Sequence, residues 1–245
     1  MKKIICTLLA VMMVITCFAA CGKSEKTLVM GTNAEFAPYE FVDDNGNVAG
    51  IDAEIAAAIA EKLGMKLEIK NMEFDSLIPA LQGGTVDIVL AGMTVNEERK
   101  ESVNFSDSYA TGVQVVIVPE GSSIASIEDL KGKTIGVQSG TTGDTYCTEE
   151  YGQDSVKQFS NGAIAVTALI NGQIDCVVID NEPAKNFVAL NKGLKILETK
   201  YAEEDYAAAV AKNDSKLLQD VNKAIAELKS EGKLKEIIEK YIPSK

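Results

Sequence analysis

Arg99 is the only arginine among the 24 basic residues of this chain; all the others are lysine. A guanidinium presents a planar fork of donors that grips a carboxylate or phosphate through two parallel bonds, whereas an ammonium offers a point charge. Arg99 falls in LAGMTVNEERK, residues 90–100, just after an apolar run and a Gly-Met-Thr sequence. Two other polar clusters follow apolar runs in the same way: SGTTGD, with Thr141 and Thr142, follows TIGVQ, and Asp180 follows CVVI. Thr94 with Glu97 fits a helix start of the capping-box type, and Thr141 and Thr142 precede another helix start. Unsatisfied N–H groups at such ends favour an anion. Asp180 would hold a cation. A small molecule with adjacent negative and positive groups satisfies all of these at once, and an α-amino acid has that form.

The chain has no histidine and no tryptophan. Ser-His-Asp and Cys-His catalysis are thereby excluded and most catalytic zinc sites lose their ligands, so no metal and no cofactor is expected. Carboxylate-pair and Ser-Lys chemistry stay open, but the balance favours binding. SGTTGD lacks the Gly-Lys-Ser/Thr of a nucleotide loop. The formal charge of −12 becomes −14 once Lys2 and Lys3 are set aside. So acidic a chain argues against a nucleic-acid partner, which needs clustered basic residues. The acidic pairs Asp43–Asp44, Glu97–Glu98 and Glu203–Glu204 read as solvated charges.

Elements that would position these groups alternate along the chain from Thr27. TLVMGT reads as a strand, and Ile51, Ile55, Ile59 and Leu63 fall on one face of a helix that stops at Gly64. KLEIKNM is a strand, 76–82 a helix, and VDIVLAG a buried strand. The pattern restarts at KTIGVQ and runs through a helix after Thr142, the strand VKQF, the helix AIAVTALIN and the strand IDCVVID. Such alternation predicts parallel sheets covered on both faces, whose strand ends hold ligands. Residues 80–90, ALQGGTVDIVL, and 168–178, ALINGQIDCVV, look like copies of one unit, as two lobes of related design would show. Apolar stripes in 217–228 and 234–241 give two closing helices. If the strands VQVVIV (113–118) and YAAAV (206–210) are crossovers, residues 27–113 and 210–245 form lobe 1 and 114–209 form lobe 2, with the two strands as a hinge.

At the N-terminus, Lys2 and Lys3 precede an uncharged apolar run, 4–20, and Ala19 and Ala20 stand before Cys21. Residues 1–20 read as a signal peptide, and the small residues before Cys21 resemble the cleavage box of a bacterial lipoprotein, although Phe18 replaces the usual Leu. Cys21 would carry lipid, 22–26 would form a spacer, and the folded part would sit outside the cytoplasm, anchored to the cell membrane. A transmembrane anchor is the rival, and the run is short for one. Cys6 and Cys17 leave with the signal. Export permits a Cys147–Cys176 disulfide, but Cys176 lies in a buried-strand pattern where free cysteine is common.

The segments GTNAEFAPYEF, GIDAEIAAAIAEKLG, FDSLIPALQGGTVDIVLAGMTVNEERKESVNFSDSY, LKGKTIGVQSGTT and IDCVVIDNEPA, in that order, resemble the extracellular solute-binding proteins for polar amino acids that serve ABC importers. The resemblance covers nearly all of the chain after the signal. It implies a two-lobed α/β fold of the periplasmic-binding-protein type II, each lobe a mostly parallel sheet flanked by helices, and a monomer that delivers a polar or neutral L-amino acid to a permease. By position, Arg99 would clamp the α-carboxylate with Thr94 and the backbone of Thr142. Asp180 would take the α-ammonium with the Gly92 carbonyl. Phe36 and Phe74 would flank the ligand side chain, and Asn33, Gln138 and Ile179 would tune specificity. Relatives for cationic ligands or glutamine often carry Asp where Asn33 stands, which argues against a strongly cation-selective pocket. Two rivals remain: a prephenate-type dehydratase on the same architecture, with Glu35 as general acid, and an amino-acid-sensing lipoprotein without an importer.

Overall fold

A computed structural model describes residues 26–198 and 200–243; the expected signal peptide and Cys21 lie outside them. The first half of the chain contains β1 (Thr27–Thr32), β2 (Glu35–Phe36), β3 (Glu40–Val42), β4 (Val48–Ala49), α1 (Ile51–Leu63), β5 (Lys66–Asn71), α2 (Leu77–Gln82), β6 (Ile88–Val89), α3 (Glu97–Ser102) and β7 (Val103–Phe105). The middle contains β8 (Ala110–Pro119), β9 (Ile135–Gln138), α4 (Thr142–Tyr151), β10 (Val156–Phe159), α5 (Gly162–Ile170), β11 (Cys176–Asp180), α6 (Asn181–Leu190), β12 (Leu194–Ile196) and β13 (Ala202–Tyr206). The chain closes with β14 (Ala209–Ala211), α7 (Ser215–Ser230) and α8 (Lys233–Tyr241).

Two mixed sheets organise two lobes. Lobe 1 has the strand order β5-β1-β6-β14-β7, in which β1 runs parallel to β5 and β6 while β14 is antiparallel to its neighbours. Lobe 2 has the order β10-β9-β11-β8-β12, with β13 also paired to β8. There β9 is parallel to β10 and β11, and β8 antiparallel to β11. A small antiparallel sheet, β2-β3-β4, sits beside them.

The 3.6-residue spacing of Ile51, Ile55 and Ile59 puts one face of α1 into the lobe 1 core, where they are fully buried against Val221, Ile225 and Leu228 of α7. Full burial of such a side chain contributes roughly 1.5–3 kcal/mol. The helix ends as expected at Gly64, in left-handed conformation with φ 65°. Lys62 of α1 pairs with Glu227 and Glu231, so the closing helices complete a lobe begun at the other end of the chain.

The connection back to lobe 1 differs from expectation. YAAAV is not one strand: β13 ends at Tyr206 and β14 begins at Ala209, so Ala207 and Ala208 carry the chain from one sheet to the other. Strand formation follows ladder partners, and those of β13 lie along β8 in lobe 2, with Tyr206 opposite Ala110 and Ala202 opposite Gln114. Cys147 on α4 and Cys176 on β11 are unpaired and buried in one cluster. Burial pushes each thiol up to about 12.

Candidate functional site

One cavity lies where the carboxyl ends of β1, β6, β9 and β11 face each other between the lobes, and all eleven ligand-site residues expected from the sequence line it. Lobe 1 contributes Asn33, Phe36, Phe74, Gly92, Thr94 and Arg99; lobe 2 contributes Gln138, Thr141, Thr142 and Asp180, with Ile179 beside them. The wall also includes Glu40, Ala91, Gln114 and Val178.

Arg99 is buried in the first turn of α3. The helix is capped by Asn96, whose side chain accepts from the Arg99 N–H at 2.8 Å, not by Thr94 as the spacing to Glu97 suggested. Asn is among the strongest capping residues, and Thr94 is engaged elsewhere, in a bridge to Tyr206. The Arg99 guanidinium donates to the Thr94 carbonyl at 2.8 Å and, across the cleft, to the Gly140 carbonyl at 3.0 Å. It also lies over the Phe74 ring, 5.3 Å from its centre, so Phe74 supports the cation. Its resident partners are neutral carbonyls, which leaves donors of the fork for an anion.

On the lobe 2 side, Thr141 caps α4 by accepting from the Asp144 N–H at 3.3 Å, and Thr142 opens the helix, whose first N–H groups have no partner within it. Asp180 occupies the cap position of α6 without bonding that helix. Its carboxylate instead accepts from Gln114 at 2.6 Å and from the Tyr206 hydroxyl. Burial raises Asp180 to about 7; those donors and Arg99 oppose the shift, while Glu204 reinforces it. Gly112 makes the Tyr206 contact possible, because a Cβ there would clash with both the Tyr206 hydroxyl and the Asp180 carboxylate.

The pair Glu203–Glu204 reads as solvated in the sequence, but Glu204 is buried. Its Oε2 accepts from Thr94 at 3.1 Å, Gln114 at 3.0 Å and Thr142 at 3.0 Å, and its Oε1 from Tyr146 at 2.8 Å. The alternation of a strand explains the error: β13 shows Glu203 and Asp205 outside, Glu204 and Tyr206 inside. Counting back by two from Tyr206 would have found it. Gln114 and Glu40, also missed, likewise sit on strands.

The lobes touch around the cavity. Gln138 donates to Asn33 at 2.9 Å, Ser139 to Asp75 at 3.3 Å, and Asn186 to the Ala37 carbonyl at 2.8 Å. Asn33 and Gln138, expected to read a ligand side chain, thus hold each other across the cleft. Glu35, the acid a dehydratase would use, is exposed and does not line the cavity.

Two mixed α/β sheets joined by paired strands, with a polar cavity between them, define a two-lobed protein of the periplasmic-binding type. The sequence profile of the bacterial extracellular solute-binding proteins, family 3, matches residues 28–244, and the chain belongs to that family. It is 37% identical over 222 residues to a probable histidine-binding protein of Neisseria gonorrhoeae, covering 88% of this chain and 83% of that one. It is 31% identical over 267 residues to an ABC transporter glutamine-binding protein of Bacillus subtilis strain 168, covering 99% and 98%. Among solved structures, an ancestral arginine-binding protein bound to glutamine superposes with a TM-score of 0.85 at 44% identity, over 90% of this chain and 99% of that one. These relatives are amino-acid-binding proteins.

Proposed function

We propose that this protein captures a polar or neutral L-amino acid between its lobes and presents it to an ABC importer, from a position outside the cytoplasm where a lipid on Cys21 anchors it to the membrane. The observation that carries the reading is the pairing of opposite charges across one cavity. Arg99, with free fork donors, stands on lobe 1, and Asp180 stands on lobe 2. The α-carboxylate would bind Arg99 and the N–H groups opening α4; the α-ammonium would bind Asp180 and the Gly92 carbonyl. Each charge-assisted bond contributes roughly 1.5–3 kcal/mol. Both sets are satisfied together only when the lobes meet, so ligand shifts the population toward the closed form, which the permease would recognise. The lobe limits 27–113 plus 210–245 and 114–209, and a monomeric state, belong to the same reading.

A melting-temperature screen against the common L-amino acids tests it. At least one polar amino acid should raise the melting temperature by several degrees. Arg99→Ala should abolish that rise. Stabilisation by sugars or metals alone, or an unchanged response in Arg99→Ala, would refute the assignment.

A further inference from the structure

Three side chains of the cavity wall, Thr94, Gln114 and Thr142, converge on one carboxylate that is not itself part of that wall. On its Oε2, Glu204 takes the Thr94 hydroxyl at 3.1 Å, the Gln114 amide at 3.0 Å and the Thr142 hydroxyl at 3.0 Å. Its Oε1 takes the Tyr146 hydroxyl at 2.8 Å. A carboxylate only accepts, and each hydroxyl has one hydrogen to give. The hydroxyl hydrogens of Thr94 and Thr142 are therefore turned away from the cavity and toward β13. Gln114 is spent in the same way, because its amide nitrogen also donates to Asp180 at 2.6 Å.

The wall is thereby divided by polarity. The hydroxyl oxygens of Thr94 and Thr142 have only lone pairs left to offer, and the Asp180 carboxylate and Gly92 carbonyl of the same wall also only accept. Donors remain at the Arg99 fork and at the N–H groups opening α4. An acceptor-only region suits an ammonium, which carries three hydrogens and no lone pair. We propose that Glu204 is a positioning residue for the ligand α-ammonium: it aims the Thr94 hydroxyl so that its oxygen accepts a hydrogen from that group. Thr142, held in the same way, leaves the α-carboxylate to the backbone N–H groups of α4. Glu204 acts without touching the ligand, and what it sets is the preference for an amino acid over the matching α-hydroxy acid. The proposal rests on the amino-acid reading above.

Calorimetry of the whole protein with L-arginine, L-glutamine and L-histidine, and with the α-hydroxy acid of whichever binds most tightly, gives the ratio of the two affinities. Glu204→Met keeps the length of the side chain and removes the acceptor. It should lower that ratio at least about tenfold, the loss of one charge-assisted bond, with the hydroxy acid held within about threefold. Glu204→Gln keeps an amide oxygen for the hydroxyls and should hold the ratio within about threefold. A purely structural role would weaken both ligands together, so an unchanged ratio in Glu204→Met would overturn the proposal. An equal collapse in Glu204→Gln would also overturn it, by assigning the effect to charge. Should Glu204→Met not fold, Thr94→Val decides: it should lower the ratio likewise while Thr94→Ser keeps it, and an unchanged ratio in Thr94→Val overturns the proposal. If the ratio holds while Arg99→Ala abolishes binding of both ligands, the Glu204 assignment falls and the amino-acid reading stands. Failure of all three amino acids to bind the unmodified protein would overturn the proposal and, if the wider screen is also blank, the amino-acid reading with it.

Discussion

Replacing Arg99 by lysine would keep the charge at the cavity wall and remove the fork. The guanidinium bonds the Thr94 carbonyl in its own lobe and the Gly140 carbonyl in the other, and an ammonium cannot reproduce both while holding a carboxylate. Arg99→Lys should lower amino-acid affinity by about 10- to 100-fold with the melt of the free protein nearly unchanged, as calorimetry and thermal unfolding would show. Affinity within about threefold of the unmodified protein would rule out two-pronged recognition. At this scale the sequence was legible where a residue announced itself by type, as a lone arginine or a threonine at a helix start. Glu204 and Gln114 gave no such sign. Their meaning comes from partners 110 and 66 residues away, which local spacing does not encode.

The repeated unit seen in the sequence is an element-scale fact of the structure. In lobe 1, Asp87 accepts from the Val29 N–H at 2.8 Å; in lobe 2, Asp175 accepts from the Thr134 N–H at 2.7 Å. Each aspartate pins the buried strand of its unit to the parallel strand beside it, β1 in lobe 1 and β9 in lobe 2. The preceding turns match too, with Gly84 at φ 68° and Gly172 at φ 67°. A Cβ at either would meet open space, so only the left-handed backbone opposes alanine. Gly84→Ala and Gly172→Ala should each destabilise by about 1 kcal/mol, and by similar amounts, in urea unfolding. A large disparity would break the equivalence of the two turns. Helices α1, α7 and α8 were legible because apolar residues repeat at helical spacing. Strand ends were less so: VDIVLAG reads as seven strand residues, yet only Ile88 and Val89 form β6, since ladder partners set where a strand stops.

Among the described residues, three buried acids, Glu40, Asp52 and Asp180, are all raised above the carboxylate range, the last two to about 6 and about 7. The unfolded chain sheds these protons near pH 4, whereas the folded chain keeps those of Asp52 and Asp180 until pH 6–7 and that of Glu40 as well. Through that window the folded state binds more protons, so their contribution makes the free protein less stable as pH rises. Ligand reverses the trend, because an α-ammonium on Asp180 favours its ionised form. Melting temperatures between pH 4.5 and 7.5 should fall with pH for the free protein, and the ligand-induced rise should grow. A free-protein melt that climbs steadily toward neutral pH would contradict this. Two lobes and a cleft were legible in the sequence from the alternation of elements and the repeat. The exact crossing was not, because an alanine-rich connector and a short strand share one composition.

Strand β8 enters lobe 2 and β13 leaves it side by side, with Ala110 opposite Tyr206. The intervening 95 residues therefore begin and end about one strand spacing apart, near 5 Å. In the language of gene rearrangement, lobe 2 is a cassette whose ends already meet. It could be removed and its gap closed by a tight turn, or exchanged for another cassette, without disturbing the ladder through which β14, α7 and α8 return to complete the host lobe.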